Sequence, residues 1–264
     1  MMSERGAAGM NAFLELTKLA SIDKKSPRIG KLIGGKGEYK KDFYTELIGN
    51  YHRRWEIVPE WYDQRLAQYY AFLPEDRCTE FVIRSQSPLV MGQGQSSILE
   101  THLTLHRIYG VPYIPGTALK GLTAHYCHQY LGEEEAGFRS DGAYYEILFG
   151  STERAALIQY HDAFPTKDTV SQALVLDVMT PHHHKYNDTA ASVSAPRDDD
   201  SPVPIPFLSV RADFRILLSC ESSSKENFDW LELARKLVKN AIEHEGVGGK
   251  TNAGYGRFNE FIRG

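Results

Sequence analysis

The order of elements from residue 79 onward predicts an α+β fold, a ferredoxin-like (RRM-like) βαββαβ domain behind an N-terminal helical extension. Three observations carry this. A strand pattern opens at Thr79, two helical stretches are each followed by a strand-like one, and a Pro- and Ser-rich interruption falls between the second and third core strands. The expected organisation is an extension over 1–78 and a core domain over 79–264, with an insertion at about 163–205.

Residues 10–20 carry a short helical pattern through Met10, Phe13, Leu14, Leu16 and Leu19. The segment 21–41 reads as an extended loop, with Pro27 and glycines at 30, 34, 35 and 37. It is basic: from Lys18 to Lys41 eight Lys/Arg stand against Asp23 and Glu38. From Lys41 to Phe72 the pattern is again helical and rich in aromatics, and Pro59 divides it into two helices. Aromatics at this spacing are read as core before they are read as a stacking platform.

Thr79–Val90 is the first strand, and Met91–Gln95 turns away from it. At Val111-Pro-Tyr-Ile-Pro-Gly-Thr-Ala-Leu-Lys-Gly-Leu122, Pro115-Gly116 ends an extended piece and Thr117 caps a helix to about Tyr130. Its first amides, with Gly116, Thr117 and Lys120, make a candidate anion site; a plain helix cap with an exposed lysine is the alternative. Residues 155–161 and 173–179 read as strands, 180–204 as a flexible insertion, and 205–219 as one strand starting near Pro206. Asn227–Glu245 is the best-patterned helix, with Asp229 and Glu232 as a capping-box-like pair. Two helices on one face of a four-stranded sheet would leave the other face free for RNA or a neighbouring subunit.

After that helix comes Gly246-Val-Gly-Gly-Lys-Thr-Asn-Ala-Gly-Tyr-Gly-Arg-Phe258, with Gly246, Gly248, Gly254 and Gly256 in G-x-G-x5-G-x-G spacing. Gly246 is also an ordinary helix stop. A crest of Gly248, Gly249, Lys250 and Thr251 would gather amides, an ammonium and a hydroxyl, a set suited to phosphate oxygens. It is not a Walker A loop: His244 stands where the first glycine is needed, and the order is helix, loop, strand.

At 264 residues and a net charge of −4, the chain has no bulk electrostatic bias toward nucleic acid. Three cysteines without C-x-x-C spacing fit a reducing compartment. No apolar run reaches the ~18 residues of a membrane span, and no signal peptide is evident. A soluble, cytoplasmic protein without membrane attachment is expected.

The glycine loop, the Ile114-Pro-Gly-Thr-Ala-Leu-Lys-Gly121 block, Tyr160-His-Asp-Ala-Phe-Pro165, Leu176-Asp-Val-Met-Thr-Pro-His182 with Tyr186, and Pro204-Ile-Pro-Phe-Leu208 together resemble the RAMP superfamily of CRISPR RNA-binding proteins. Within it the chain is similar to the family of sixth Cmr subunits of type III-B effector complexes, over about residues 80–260. That resemblance implies a RAMP fold and a non-catalytic subunit capping the backbone filament near the 3′ end of the CRISPR RNA. It further implies contact with CRISPR RNA and target RNA, and partners among the backbone RAMP subunits, the small helical subunit and the neighbouring capping RAMP subunit. A thumb-like hairpin within 163–205 is implied as well. No cofactor or metal is expected.

Backbone subunits of this superfamily cut RNA with an aspartate in the loop between first strand and first helix. Residues 91–113 contain none here, Glu100 being the only acid. His102 and His106 share that loop, so a metal-independent endoribonuclease processing CRISPR repeat RNA is the alternative; at i,i+4 they also fit one face of a short helix. His182-His183-His184 could ligate a metal, but three consecutive side chains rarely face one ion, and Asp198–Asp200, which could hold Mg²⁺, reads first as a solvated run. The expected RNA-binding residues are Gly248, Gly249, Lys250 and Thr251, then Gly116, Thr117 and Lys120, with His182, His183, Lys185 and Lys36 as weaker members.

Overall fold

The computed structural model describes residues 11–19, 22, 27–34, 37–71, 74–95, 97, 99, 101–180, 204–221 and 224–263. Four N-terminal helices, α1 (Ala12–Lys18), α2 (Pro27–Gly34), α3 (Gly37–Trp55) and α4 (Glu60–Ala71), precede strand β1 (Cys78–Ser85). Then come α5 (Gly116–Tyr126), a π-helical turn at Cys127–Leu131, α6 (Gly132–Glu134) and α7 (Ala143–Phe149). Strands β2 (Ile158–Tyr160) and β3 (Phe164–Pro165) lead into α8 (Lys167–Val170) and β4 (Leu174–Met179). The chain ends with β5 (Ile205–Val210), β6 (Phe214–Cys220), α9 (Lys225–Glu245) and β7 (Phe258–Arg263). Among the described residues no helix is long and apolar enough to cross a membrane.

The main sheet runs β2-β6-β1-β7, with β3 also on β6, and every pairing is antiparallel. Strand alternation decides what each face meets. Phe81 and Ile83 pair with Ile216 and Phe214, all fully buried on the side where Arg235 and Lys239 of α9 lie over the Phe81 ring. Burial of these side chains contributes about 1.5–3 kcal/mol each. The opposite face is not left free, contrary to the sequence expectation. Tyr70 of α4 donates its hydroxyl to the Arg215 carbonyl (3.3 Å), and the Arg215 guanidinium covers the Tyr70 ring at 5.0 Å.

The N-terminal helices share one hydrophobic core with the rest of the described chain through Leu16, Phe43, Tyr44, Leu47, Tyr51, Trp55 and Tyr62. Besides Tyr70, three tyrosine hydroxyls fasten them: Tyr44 to Thr101 Oγ1 (2.8 Å), Tyr51 to the Val170 carbonyl (2.7 Å) and Tyr62 to the Pro165 carbonyl (2.9 Å). Burial pushes the Tyr51 and Tyr62 phenols well above their ordinary pKa, which keeps them neutral donors.

Several expectations need correction. The 21–41 segment is not an extended loop: Pro27 occupies the first turn of α2, where its missing N–H costs nothing, and α3 starts at Gly37. The first strand stops at Ser85, and Leu89 and Val90 make isolated bridges to Val210 and Gly249. The stretch 205–219 is two strands in different sheets, broken at 211–213, where the Asp213 carboxylate accepts from the Ser85 amide (3.1 Å). The last helix begins earlier than read: Ser224 is its N-cap and accepts from the Asn227 amide (3.1 Å), which puts Asp229 inside the helix. Residues 181–203, with His182, His183, Lys185 and Asp198–Asp200, lie outside the described residues, as do Lys36 and Glu100.

Candidate RNA interface

The glycine loop is built against residues 88–90. Gly249 donates to the Val90 carbonyl (2.8 Å) and Gly256 to the Pro88 carbonyl (2.8 Å). Leu89 and Val210 exchange amide and carbonyl bonds at 2.6 and 2.8 Å. One hydrogen-bonded ladder therefore runs from the β4–β5 ribbon through Leu89 and Val90 to the loop. Tyr255 adds a side-chain tie, its hydroxyl donating to Asp177 Oδ2 of β4 at 2.7 Å. Burial first, and then that hydrogen bond, push the Tyr255 phenol up to about 12.

The glycines divide by role. Gly256 has φ +65°, and its α-carbon lies so close to the Val247 carbonyl that a Cβ would overlap it. Gly248, at φ +83°, likewise presses on the Val90 carbonyl. Gly249 has room: an added Cβ would be 3.7 Å from its nearest neighbour. Gly248, Gly249 and Lys250 are exposed, and Thr251 is half-buried. Lys250 itself is left-handed (φ 61°, ψ 28°), a conformation costing a non-glycine residue about 1–2 kcal/mol. Its carbonyl accepts from Ala253 (2.9 Å) and Tyr255 (3.3 Å), which closes the loop beneath it. Arg257 locks the base of the loop, donating from Nη1 to the His244 carbonyl (3.3 Å) and from Nη2 to the Thr251 carbonyl (3.2 Å).

The second predicted group, at the start of α5, is differently placed. Pro115 is the N-cap residue and makes no side-chain capping bond, while Thr117, expected as the cap, lies inside the first turn. Instead Asp162 Oδ1 accepts from the Gly116 amide at 2.8 Å. The chain's own carboxylate thus holds the place predicted for an external anion, at the positive end of the helix dipole. Gly116 is buried, and a Cβ there would overlap the Tyr160 carbonyl. Thr117 is exposed and Lys120 half-buried. It is the other end of α5 that meets the glycine-loop helix, where His125 Nε2 lies 3.7 Å from Glu245 Oε2. Asp162 and Asp177 are both missed by local spacing, since their partners lie 46 and 78 residues away.

His102 and His106 are not on a helix. They lie on an irregular extended segment, with a bridge between Leu105 and Pro112, and both line a cleft of about 570 Å³ with Gln95, Tyr113 and Asp162. Burial lowers the pKa of both imidazoles, while the Asp162 charge partly opposes this at His106. His106 Nδ1 accepts from the Tyr109 amide (3.3 Å), so a neutral ring carries its proton on Nε2. His102 Nδ1 is buried and has no hydrogen-bond partner among the described residues. Among the described residues, no group of three His, Cys, Asp or Glu side chains is placed to hold a metal ion.

Comparison with known proteins agrees with the motif pattern. The sequence model of the RAMP superfamily matches residues 82–259. The CRISPR system Cmr subunit Cmr6 of Pyrococcus furiosus is 31% identical over 68% of this chain and 67% of its own length. The CRISPR system CMR subunit Cmr6 of Saccharolobus solfataricus is 26% identical over 68% of this chain and 56% of its own length. A chain in the cryo-EM structure of the type III-B Cmr-beta bound to cognate target RNA shares the fold, with a TM-score of 0.61 and 21% identity over 96% of this chain and 88% of that one. The chain belongs to the RAMP superfamily and, within it, to the Cmr6 subunits of CRISPR systems.

Proposed function

We propose that this chain is a non-catalytic RNA-binding subunit of a type III-B Cmr effector complex. It caps the backbone filament near the 3′ end of the CRISPR RNA and supports target-RNA binding in antiviral defence. Its partners are CRISPR RNA, target RNA, the backbone RAMP subunits, the small helical subunit and the neighbouring capping subunit, in the cytoplasm. The observation that carries this is the Gly248–Thr251 crest, exposed at Gly248, Gly249 and Lys250, half-buried at Thr251, and held to the ladder by the Gly249 amide, so that the Lys250 ammonium stands over a fixed backbone. Contacts of that kind hold phosphate and sugar without reading bases, as a subunit accepting any guide sequence requires. Thr117 and Lys120 form a secondary contact, and His182, His183, Lys185 and Lys36 extend the surface. The strand order β2-β6-β1-β7, with α5 and α9 as crossover helices, supports a ferredoxin-like RAMP domain over 79–264. Residues 1–78 are then an extension that folds against it, and the ribbon β4–β5 is the root of a thumb-like insertion.

The test is reconstitution of the Cmr complex with and without this chain. Omission should weaken target-RNA retention, and adding the chain back should restore it. Equal retention in both would overturn the assignment.

A second reading has one observation in its favour: His102 and His106 share the cleft with Asp162, and neutral imidazole is the form a general base needs. Here the protein would be a metal-independent endoribonuclease for repeat RNA. Cleavage of repeat RNA by the purified chain in EDTA, abolished by His102→Ala or His106→Ala, would establish it. Intact RNA would remove it.

A further inference from the structure

A ring cluster stands at the last turn of α9, the helix that leads into the crest. Tyr126 closes α5, and Tyr130 lies in the π-helical turn that follows, with their ring centroids 5.3 Å apart. His244, in the last turn of α9, is 4.4 Å from Tyr130 and 5.8 Å from Tyr126. Tyr130 is 43% exposed, Tyr126 is half-buried and His244 is exposed. Buried Cys127 anchors the turn from below. π-helical turns are rare and recur at functional sites, because they set side chains off the regular α-helical rows. Arg257 binds the His244 and Thr251 carbonyls at once, so the backbone that carries the His244 ring is tied directly to the crest.

We propose that Tyr130, Tyr126 and His244 form a stacking platform for one unpaired RNA base whose phosphate lies on the Gly248–Thr251 crest. This rests on the crest being RNA-facing. The charge pattern points to a base at the rings and a phosphate at the loop. Exposed Glu133, Glu134 and Glu135 follow Tyr130 in the chain, and Glu243 and Glu245 flank His244, whereas Lys250 and Arg257 lie beyond it. Polar groups stand nearby as well: His125 Nε2 lies 3.7 Å from Glu245 Oε2, and His128 Nδ1 accepts from the Ser140 amide at 3.1 Å. A neutral aromatic base tolerates such a rim, where a phosphate would be repelled. Stacking on a tyrosine face is also tolerant of sequence, as the crest contacts are.

The experiment uses the reconstituted Cmr complex carrying 4-thiouridine in the guide strand or, in a second arm, in the target strand. The wild-type protein should give an RNA adduct on the peptide containing Tyr126 and Tyr130. Tyr130→Leu keeps apolar area but removes the π face, and should lose the adduct and weaken RNA retention about tenfold. Tyr130→Trp should restore both. The salt dependence of retention should keep its slope in Tyr130→Leu, because stacking releases no counterions. Unchanged retention and crosslinking in Tyr130→Leu, or a protein subunit attached at Tyr130, would overturn the platform. Lys250→Ala run alongside separates the failures: an effect there with Tyr130→Leu silent leaves the crest standing, and silence in both removes both.

Discussion

The glycine loop and the start of α5 look alike in sequence, each pairing glycines with a lysine and a threonine, yet they end in opposite situations. At the loop, Gly249 and Lys250 are exposed over a fixed ladder, and a Cβ at Gly249 would meet only ordinary contact with Val90. At α5, Gly116 is buried, its amide is held by Asp162, and its α-carbon abuts Tyr160. A glycine thus signals close backbone approach, and only the folded chain says whether the approaching group belongs to the protein or to a ligand.

The largest effects should come from glycines that touch their own chain. Gly256→Ala combines a left-handed φ with overlap on Val247, and should cost about 3 kcal/mol in thermal or denaturant unfolding. Gly116→Ala should cost about 2–3 kcal/mol by overlap with Tyr160 alone. If Gly116→Ala were neutral in unfolding and weakened RNA retention, the contrast between the two regions would collapse.

Asp162→Ala should destabilise by about 2 kcal/mol, since it removes a charged acceptor at a helix start and leaves the Gly116 amide without it. Tyr255→Phe should cost about 1 kcal/mol, the net worth of its bond to Asp177. That bond has a pH signature. Because the folded-state pKa of Tyr255 is raised, to about 12, its contribution is complete below the unfolded phenol value near 10 and fades as pH rises through about 12. Unfolding of wild type and Tyr255→Phe should therefore converge across that interval. A constant gap would show that the hydroxyl is not the source. The smallest stability change belongs to Gly249→Ala, under about 0.5 kcal/mol by unfolding, because its α-carbon has room. This variant sharpens the comparison, since RNA retention should fall although the fold is untouched.

Elements with a strong local period were legible before the structure: the aromatic helices split at Pro59, the last helix, and the Gly246 stop. What escaped was set by distant partners. The cap on α5 comes from Asp162, the tie on Tyr255 comes from Asp177, and the face of the sheet is covered by Tyr70 from the N-terminal helices. The break at 211–213 was hidden because both flanking pieces are apolar, and a continuous apolar run does not reveal a change of sheet. Of the predicted RNA contacts, Gly248, Gly249 and Lys250 are exposed together with Thr251 half-buried beside them, whereas Gly116 serves packing.

The most direct measurement is the salt dependence of RNA retention in reconstituted complexes carrying Lys250→Ala or Lys120→Ala. If the crest holds RNA phosphate, Lys250→Ala should weaken retention and lower the slope against log salt by about 1, and Lys120→Ala should change it less. A slope untouched by Lys250→Ala would contradict the account.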